Sequence, residues 1–294
     1  MEKRLRSVEI GVIGGSGFYN MKALSQSQYV ELKTPFGFPS EKILVGEING
    51  QGIAFLSRHG IGHRFSPSEV NYRANLMAMK LLKVKKLVSV TAVGSLKEEL
   101  EPTSLVIPDQ FVDFTHKRGR TFFGDGIVAH VSMAEPTCPQ LTQIAFETAR
   151  EMGLAVHKGG TYLNIEGPQF SSKAESDLFR KLGFSVVGMT QAIESKLARE
   201  LEMCFLPLSF VTDYDCWHQD TESVSVELVI DNLEKNAGNA DKLIAFLVKR
   251  FEVAAGECQC SCSLENAFIT DPEKMPQETK KRLEPVIEKY ISVK

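Results

Sequence analysis

Apolar residues recur along this chain with two different periods, and the switching between them is its main structural signal. Residues 8–13, Val-Glu-Ile-Gly-Val-Ile, form an apolar run ending in Gly14-Gly15-Ser16-Gly17, which predicts a buried strand feeding a loop. Residues 42–48 and 52–57 flank Asn49-Gly50, a dipeptide suited to a tight hairpin turn. Residues 68–82 repeat apolar positions at helical spacing, and residues 86–93 are a β-branched run expected of a strand covered on both faces. Further strands are predicted at 104–107, 159–165, 186–188 and 204–212. Further helices are predicted at 139–152, 173–182, 193–201, 224–251 and 276–290, with Ser223 as the cap of the fourth of these. Residues 258–272 carry neither period. Intermixed strands and helices predict an α/β protein with a central mixed sheet flanked by helices, one domain over residues 1–294, in which residues 258–294 form a C-terminal cover segment and helix.

The composition narrows the kind of function. A hydrophobic fraction of 43% and a charged fraction of 24% are those of an ordinary globular protein. The net charge of −3 provides no electrostatic footprint for nucleic acid, so an anion site must be built locally from a few donors. No apolar run approaches a membrane span or follows the basic start as a signal peptide would, so a cytoplasmic protein is expected. Six cysteines include Cys258-Gln-Cys260-Ser-Cys262, whose spacing differs from the linear zinc and thioredoxin patterns. No metal is therefore expected, and compartment favours reduced thiols over stabilising disulfides.

Several strand ends carry residues suited to anion binding. Ser16 sits in a glycine-rich loop after a strand, where backbone amides and a hydroxyl can surround an anion, although the loop lacks the remaining glycine of a dinucleotide fingerprint. Arg58 and His59 end another strand, and a guanidinium binds phosphate through two parallel hydrogen bonds. Thr91 and Ala92 close a third, and Thr190 a fourth. Ligands of open α/β sheets bind at carboxyl ends of strands, so these four ends together suggest a phosphate pocket. Asp213 and Asp215 follow the most apolar strand; an acid in a partly dry site has a raised pKa and can protonate a leaving nitrogen. The residues alone leave other readings open: a plain turn at Ser16, a structural ion pair at Arg58, and helix capping or a divalent metal at the two acids.

The motifs G-G-S-G, S-R-H-G, N-Y-R-A-N, T-A-V-G-S, M-A-E-P, I-E-G-P, G-M-T and T-D-Y-D-C-W, in that order, resemble the trimeric purine nucleoside phosphorylase family, and most closely its methylthioadenosine-cleaving branch. The match covers roughly residues 8–235. The resemblance implies a nucleoside phosphorylase-like fold, with inorganic phosphate as co-substrate and no cofactor. It implies phosphate contacts from Ser16, Arg58, His59, Thr91, Ala92 and Thr190, ribose against Met189, and purine against Phe170, Ser171 and the Asp213/Asp215 pair. Ser171 and Asp213 stand where the guanosine-cleaving branch has a glutamate and an asparagine, and an aspartate suits a 6-amino group. Val226, with Val229 on the same helical face, stands where that branch binds the 5′-hydroxyl with a histidine, so an apolar 5′ substituent is implied. The family's shared sites imply a homotrimer or dimer of trimers, with His130 and, on a weaker alignment, residues 264–269 covering a neighbour's sugar end. Gln169, Gln191 and Ile193 depart from the family pattern. The expected reaction is phosphorolysis of 5′-methylthioadenosine. The rival readings are a phosphorylase of broader adenosine and inosine specificity, hydrolysis of the same nucleoside, and nucleoside binding without catalysis.

Overall fold

In a computed structural model, which describes residues 8–18, 21–218, 226–253 and 258–293, the chain alternates as the periods predict. Its strands are β1 (Val8–Gly14), β2 (Ser25–Val30), β3 (Ile43–Ile48), β4 (Gln51–Ser57), β5 (Lys86–Ser95), β6 (Leu105–Ile107), β7 (Gln110–Asp113), β8 (Val156–Lys158), β9 (Thr161–Asn164), β10 (Val186–Gly188) and β11 (Cys204–Asp213). Its α-helices are α1 (Tyr72–Leu81), α2 (Pro139–Glu151), α3 (Lys173–Lys181), α4 (Gln191–Glu200), α5 (Val226–Val253) and α6 (Gln277–Ile287). One mixed sheet runs in the order β2-β3-β4-β1-β5-β10-β9-β7, and β11 pairs with both β5 and β6. The expected α/β architecture is therefore the observed one.

The strict alternation of side chains along a strand explains how one sheet makes two cores. Ile13, Leu56, Leu87 and Phe205 point to one face, where they pack against α1, α4 and α6 through Leu76, Leu197 and Leu283. Their chain neighbours Val12, Phe55, Val88 and Leu206 point to the other, against α2 and α5 through Leu141, Leu243 and Leu247. Each such buried side chain contributes about 1.5–3 kcal/mol.

Three strands lie where the sequence predicts none. β2, Ser-Gln-Ser-Gln-Tyr-Val, is an exposed strand that among the described residues pairs with β3 alone, so it needs no apolar face. β7 and β8 are four and three residues long, too short to display a period. The helix predicted from residue 68 begins at Tyr72, because the Asn71 side chain accepts the Ala74 amide and caps it there. The cap expected at Ser223 lies outside the described residues.

Candidate active site

β1, β4, β5 and β11 run parallel, so the loops at their carboxyl ends meet above one edge of the sheet. A cavity of about 330 Å³ opens there. Ser16 enters it from the loop after β1, His59 from the end of β4, and Thr91 and Ala92 from β5. Met189 and Thr190 follow β10, Asp213 and Asp215 end β11, and Phe170 and Ser171 close a side from the loop before α3. Of the predicted site residues whose side chains are described, all but Arg58 and His130 line this one cavity.

The two acids reach it through a break in pairing. The β5–β11 register shifts between Val211 and Asp213, leaving Asp213 opposite Gly94. A Cβ at Gly94 would lie 3.1 Å from Asp213 Oδ1 and 3.4 Å from Asp215 Cβ, so a glycine lets both acids close over β5. Asp213 Oδ2 accepts from the Thr212 hydroxyl at 2.7 Å, and its Oδ1 accepts from the Asp215 amide at 2.8 Å. Burial raises the pKa of both carboxyls above the ordinary aspartate range, and the Asp213 charge raises Asp215 further.

Three polar atoms in the wall, Asp215 Oδ2, Ser171 Oγ and Thr190 Oγ1, are buried without a partner at good hydrogen-bond geometry, although Ser171 and Ser176 lie near enough to Asp215 to lower its pKa. An unsatisfied buried polar group costs about 1–3 kcal/mol. A polar ligand in this cavity would supply the partners that the chain withholds. Phe170, in contrast, is 66% exposed and presents an open ring at the rim.

His59 is held in one tautomer. Its Nδ1 lies 2.8 Å from the Phe65 carbonyl, which can only accept, so Nδ1 carries the proton and Nε2 is left as an acceptor. The ring stacks on His63 at 4.3 Å. Burial, with the neighbouring Arg58 charge, pushes the His59 pKa down to about 3, so the imidazole is neutral at neutral pH. A folded-state value below the unfolded one means that the unfolded chain binds the extra proton between about pH 3 and 6.5, so His59 erodes stability as pH falls through that window. His59→Asn is expected to flatten the rise in unfolding free energy between pH 4.5 and 6.5. Urea titrations at the two pH values measure it, and an unchanged slope would refute the buried neutral ring.

Arg58 lies behind the cavity wall rather than in it. Its Nε donates to Glu194 Oε1 at 2.5 Å, its Nη2 to Glu194 Oε2 and Ser89 Oγ at 3.0 Å, and its Nη1 to the Val90 carbonyl at 3.2 Å. Nη1 sits directly beneath Gly15, where a Cβ would approach to 2.5 Å. The direct lining position expected for Arg58 is thus occupied by the loop it supports. Glu194, given no role in the sequence reading, also accepts from Ser89 Oγ at 2.6 Å, and this pair is fully buried. Gln191 joins the same network, donating to the Ser89 carbonyl at 2.8 Å and accepting from Ser209 at 2.8 Å, which accounts for a long polar side chain beside Thr190.

Arg118 is a second residue that the sequence does not single out. It is 7% exposed, and it donates to the carbonyls of Glu166 and Met189 and to the Tyr72 hydroxyl while pairing with the Glu166 carboxylate. The motifs containing Tyr72 and Glu166 therefore meet on one cation that fixes the backbone of Met189. In the sequence Arg118 sits in His-Lys-Arg-Gly-Arg, which reads as a solvated charge run, so no local signal marks it.

His130 falls outside the cavity of one chain. It is exposed, and its amide donates to the Ala267 carbonyl beside the Ala129–Phe268 bridge, so His130 runs alongside residues 264–269. Within that stretch Leu264 and Ala267 are buried in the core beside α6 and cannot line a pocket, whereas Ile269 is exposed. Val226 and Val229 belong to α5, but their side chains lie outside the described residues. Leu233, one turn beyond position 229, lines the cavity and has no counterpart among the predicted residues.

Comparison with known proteins agrees with this architecture. A model of the Phosphorylase superfamily matches residues 9–249. The chain is 48% identical over 285 residues to an S-methyl-5′-thioadenosine phosphorylase of Gloeobacter violaceus, covering 96% of this chain and 95% of that one. It superposes with a TM-score of 0.90 on a methylthioadenosine phosphorylase from an antarctic soil metagenomic library, at 46% identity over 96% and 99% of the two chains. The methylthioadenosine phosphorylase of Schistosoma mansoni, solved in complex with adenine, gives 0.82 at 31% identity over 96% and 98%. Identity at this level, sustained along nearly the whole of both chains, shows that the chain belongs to the phosphorylase superfamily and, within it, to the S-methyl-5′-thioadenosine phosphorylases.

Proposed function

We infer that the protein is a pentosyltransferase that cleaves 5′-methylthioadenosine with inorganic phosphate, giving adenine and 5-methylthioribose 1-phosphate. Family membership supports the reaction, and the observation on this chain that best carries it is the pairing of two buried acids with a neutral, hydroxyl-rich wall in one cavity. Ser16, Thr91, Ala92 and Thr190 form the phosphate end. His59 Nε2, an acceptor, suits a phosphate oxygen that carries a proton. Arg58 acts from behind Gly15, supporting the loop and contributing charge that Glu194 partly offsets.

Phosphate then forms the new bond to C1′ as the C1′–N9 bond breaks, and the electron pair of that bond leaves with adenine. The positive charge that develops on the sugar is stabilised by the phosphate beside it. Asp213, whose pKa burial raises, relays to N7 the proton that phosphate loses. Asp215 orients the 6-amino group. No metal or organic cofactor is required for this balance.

Met189, positioned by Arg118, backs the ribose, and Phe170 stacks on the base. Stacking of a base on an aromatic ring contributes about 1–3 kcal/mol, so Phe170→Ala is expected to weaken adenine binding by roughly 5- to 150-fold. Calorimetric titration measures it, and wild-type affinity would remove Phe170 from the base site.

The surface strip of His130 and Ile269 supports a shared site in a homotrimer or dimer of trimers, in which this strip of one subunit closes the sugar end of the next beside Val226, Val229 and Leu233. Light scattering that finds a fully active monomer would overturn that assembly. No helix among the described residues is long and apolar enough to cross a membrane. The test of the reaction is incubation with methylthioadenosine, adenosine and inosine, with and without phosphate. Free methylthioribose formed without phosphate would indicate hydrolysis, and tight binding without product would indicate a nucleoside-binding protein.

A further inference from the structure

Four cysteines converge well away from the roles just described. Cys138 sits at the N-terminus of α2, Cys204 opens β11, and Cys258 and Cys260 come from the 3-10 turn around Gln259–Cys262. All four Sγ atoms lie within 4.8 Å of one another, and those of Cys204 and Cys258 are 3.2 Å apart. Neither Cys216 nor Cys262 belongs to the cluster.

The linear spacing of Cys258, Cys260 and Cys262 argues against a metal only when it is judged within one segment. The fold draws two ligands from that segment and two from elsewhere in the chain, so the tetrad is absent from the sequence as a motif. Four sulfurs around a cation with metal–sulfur bonds of about 2.3 Å occupy the corners of a tetrahedron with edges of about 3.8 Å. The cluster has the right number of members, and its sulfur separations, one of 3.2 Å and none above 4.8 Å, bracket this edge. Disulfides would instead draw the sulfurs into two separate pairs at about 2.0 Å.

The surroundings suit a closed site. Cys138 and Cys260 are 1% and 3% exposed, and all four residues pack in the apolar layer between α2 and α5. A helix N-terminus favours thiolate over thiol, and Cys138 stands at one. Thiolates are soft ligands that select zinc-like cations over magnesium or calcium.

We propose that Cys138, Cys204, Cys258 and Cys260 form a structural tetrathiolate site for one zinc ion, which fastens the turn before the C-terminal segment to the sheet. Binding forms four zinc–sulfur bonds and releases the four thiol protons to solvent. The site stands apart from the catalytic cavity, so it does not rest on the reaction assigned above. Its consequence is positional: the turn leads into Leu264–Phe268, and so into the strip that carries His130.

The experiment is metal analysis of the full-length protein expressed in zinc-supplemented medium and purified anaerobically without chelator, combined with zinc K-edge absorption. The expected result is about one zinc per chain with four sulfur scatterers at about 2.3 Å. Cys262→Ser should keep that zinc, and Cys260→Ser should lose at least nine-tenths of it. Removing the metal with a thiol-reactive mercurial and a chelator, then reversing the mercurial, should lower the melting temperature, and zinc alone should restore it. Metal-free protein whose intact mass after alkylation reports two disulfides would overturn the proposal. So would a chain in which all six thiols alkylate natively and added zinc leaves the melting temperature unchanged. If Cys260→Ser does not fold, the metal content and absorption spectrum of the unmutated protein still decide.

Discussion

Replacing Asp213 by asparagine is expected to lower kcat for methylthioadenosine about 10²- to 10⁴-fold while changing its binding by less than tenfold. The separation follows from when the acid is needed. In the ground state the purine is neutral and an amide can still hydrogen-bond to it; as the glycosidic bond breaks, negative charge gathers on the base and transfer of a proton relieves it. Burial raises the Asp213 pKa in readiness for that moment, while the hydrogen bonds from Thr212 and the Asp215 amide, which lower it, fix the orientation of the side chain. Asparagine also presents a donor, so 6-oxopurine nucleosides should gain relative to 6-amino ones. Single-turnover rates and calorimetric binding separate the two effects, and wild-type turnover in the variant would remove Asp213 from the chemistry.

Arg58→Ala should have the larger effect on the protein as a whole. It leaves the Glu194 carboxylate buried without its cation, a loss of about 3–5 kcal/mol for a broken buried pair. At roughly 2–4 °C per kcal/mol, the melting temperature should fall by about 6–20 °C. The apparent phosphate affinity should also fall at least tenfold, because the Gly15–Ser16 loop loses both its support and the charge behind it. Adding Glu194→Gln to Arg58→Ala removes the orphaned charge, so the double variant should recover part of the stability and none of the phosphate affinity. Calorimetry and phosphate-dependent kinetics on the three variants test this; a melting temperature within about 2 °C of wild type would contradict the buried pair. A recovery of both properties together would mean that Arg58 serves the loop only by keeping the fold intact.

These two side chains also mark the boundary of what could be read before the fold was known. Asp213 was legible because its chemistry is local: an acid two residues from another, at the end of the most apolar strand, needs only the strand to be placed at the sheet's carboxyl edge. The same holds for Ser16, Thr91, Ala92 and Thr190, each at a strand end, and for the buried strand over residues 8–13. Arg58 was legible as a cation at a strand end but not as a buried one. Its depth depends on Glu194 and Ser89, which come from a helix and another strand and reveal nothing of the pairing in their own neighbourhoods.

The amino-acid order by itself determined the period of each long element, the α/β class and the set of strand ends that could hold a small anion, because these depend on residues a few positions apart. Only the tertiary structure decided which charges are buried together, that Arg118 leaves its basic run to organise the Met189 backbone, and that four cysteines from three segments meet in the apolar layer between α2 and α5. It also showed that Leu264 is core while His130 and Ile269 share an outer strip. The physical reason is common to all of them. Desolvation and pairing are set by neighbours brought together across long stretches of chain, and no local period records those contacts.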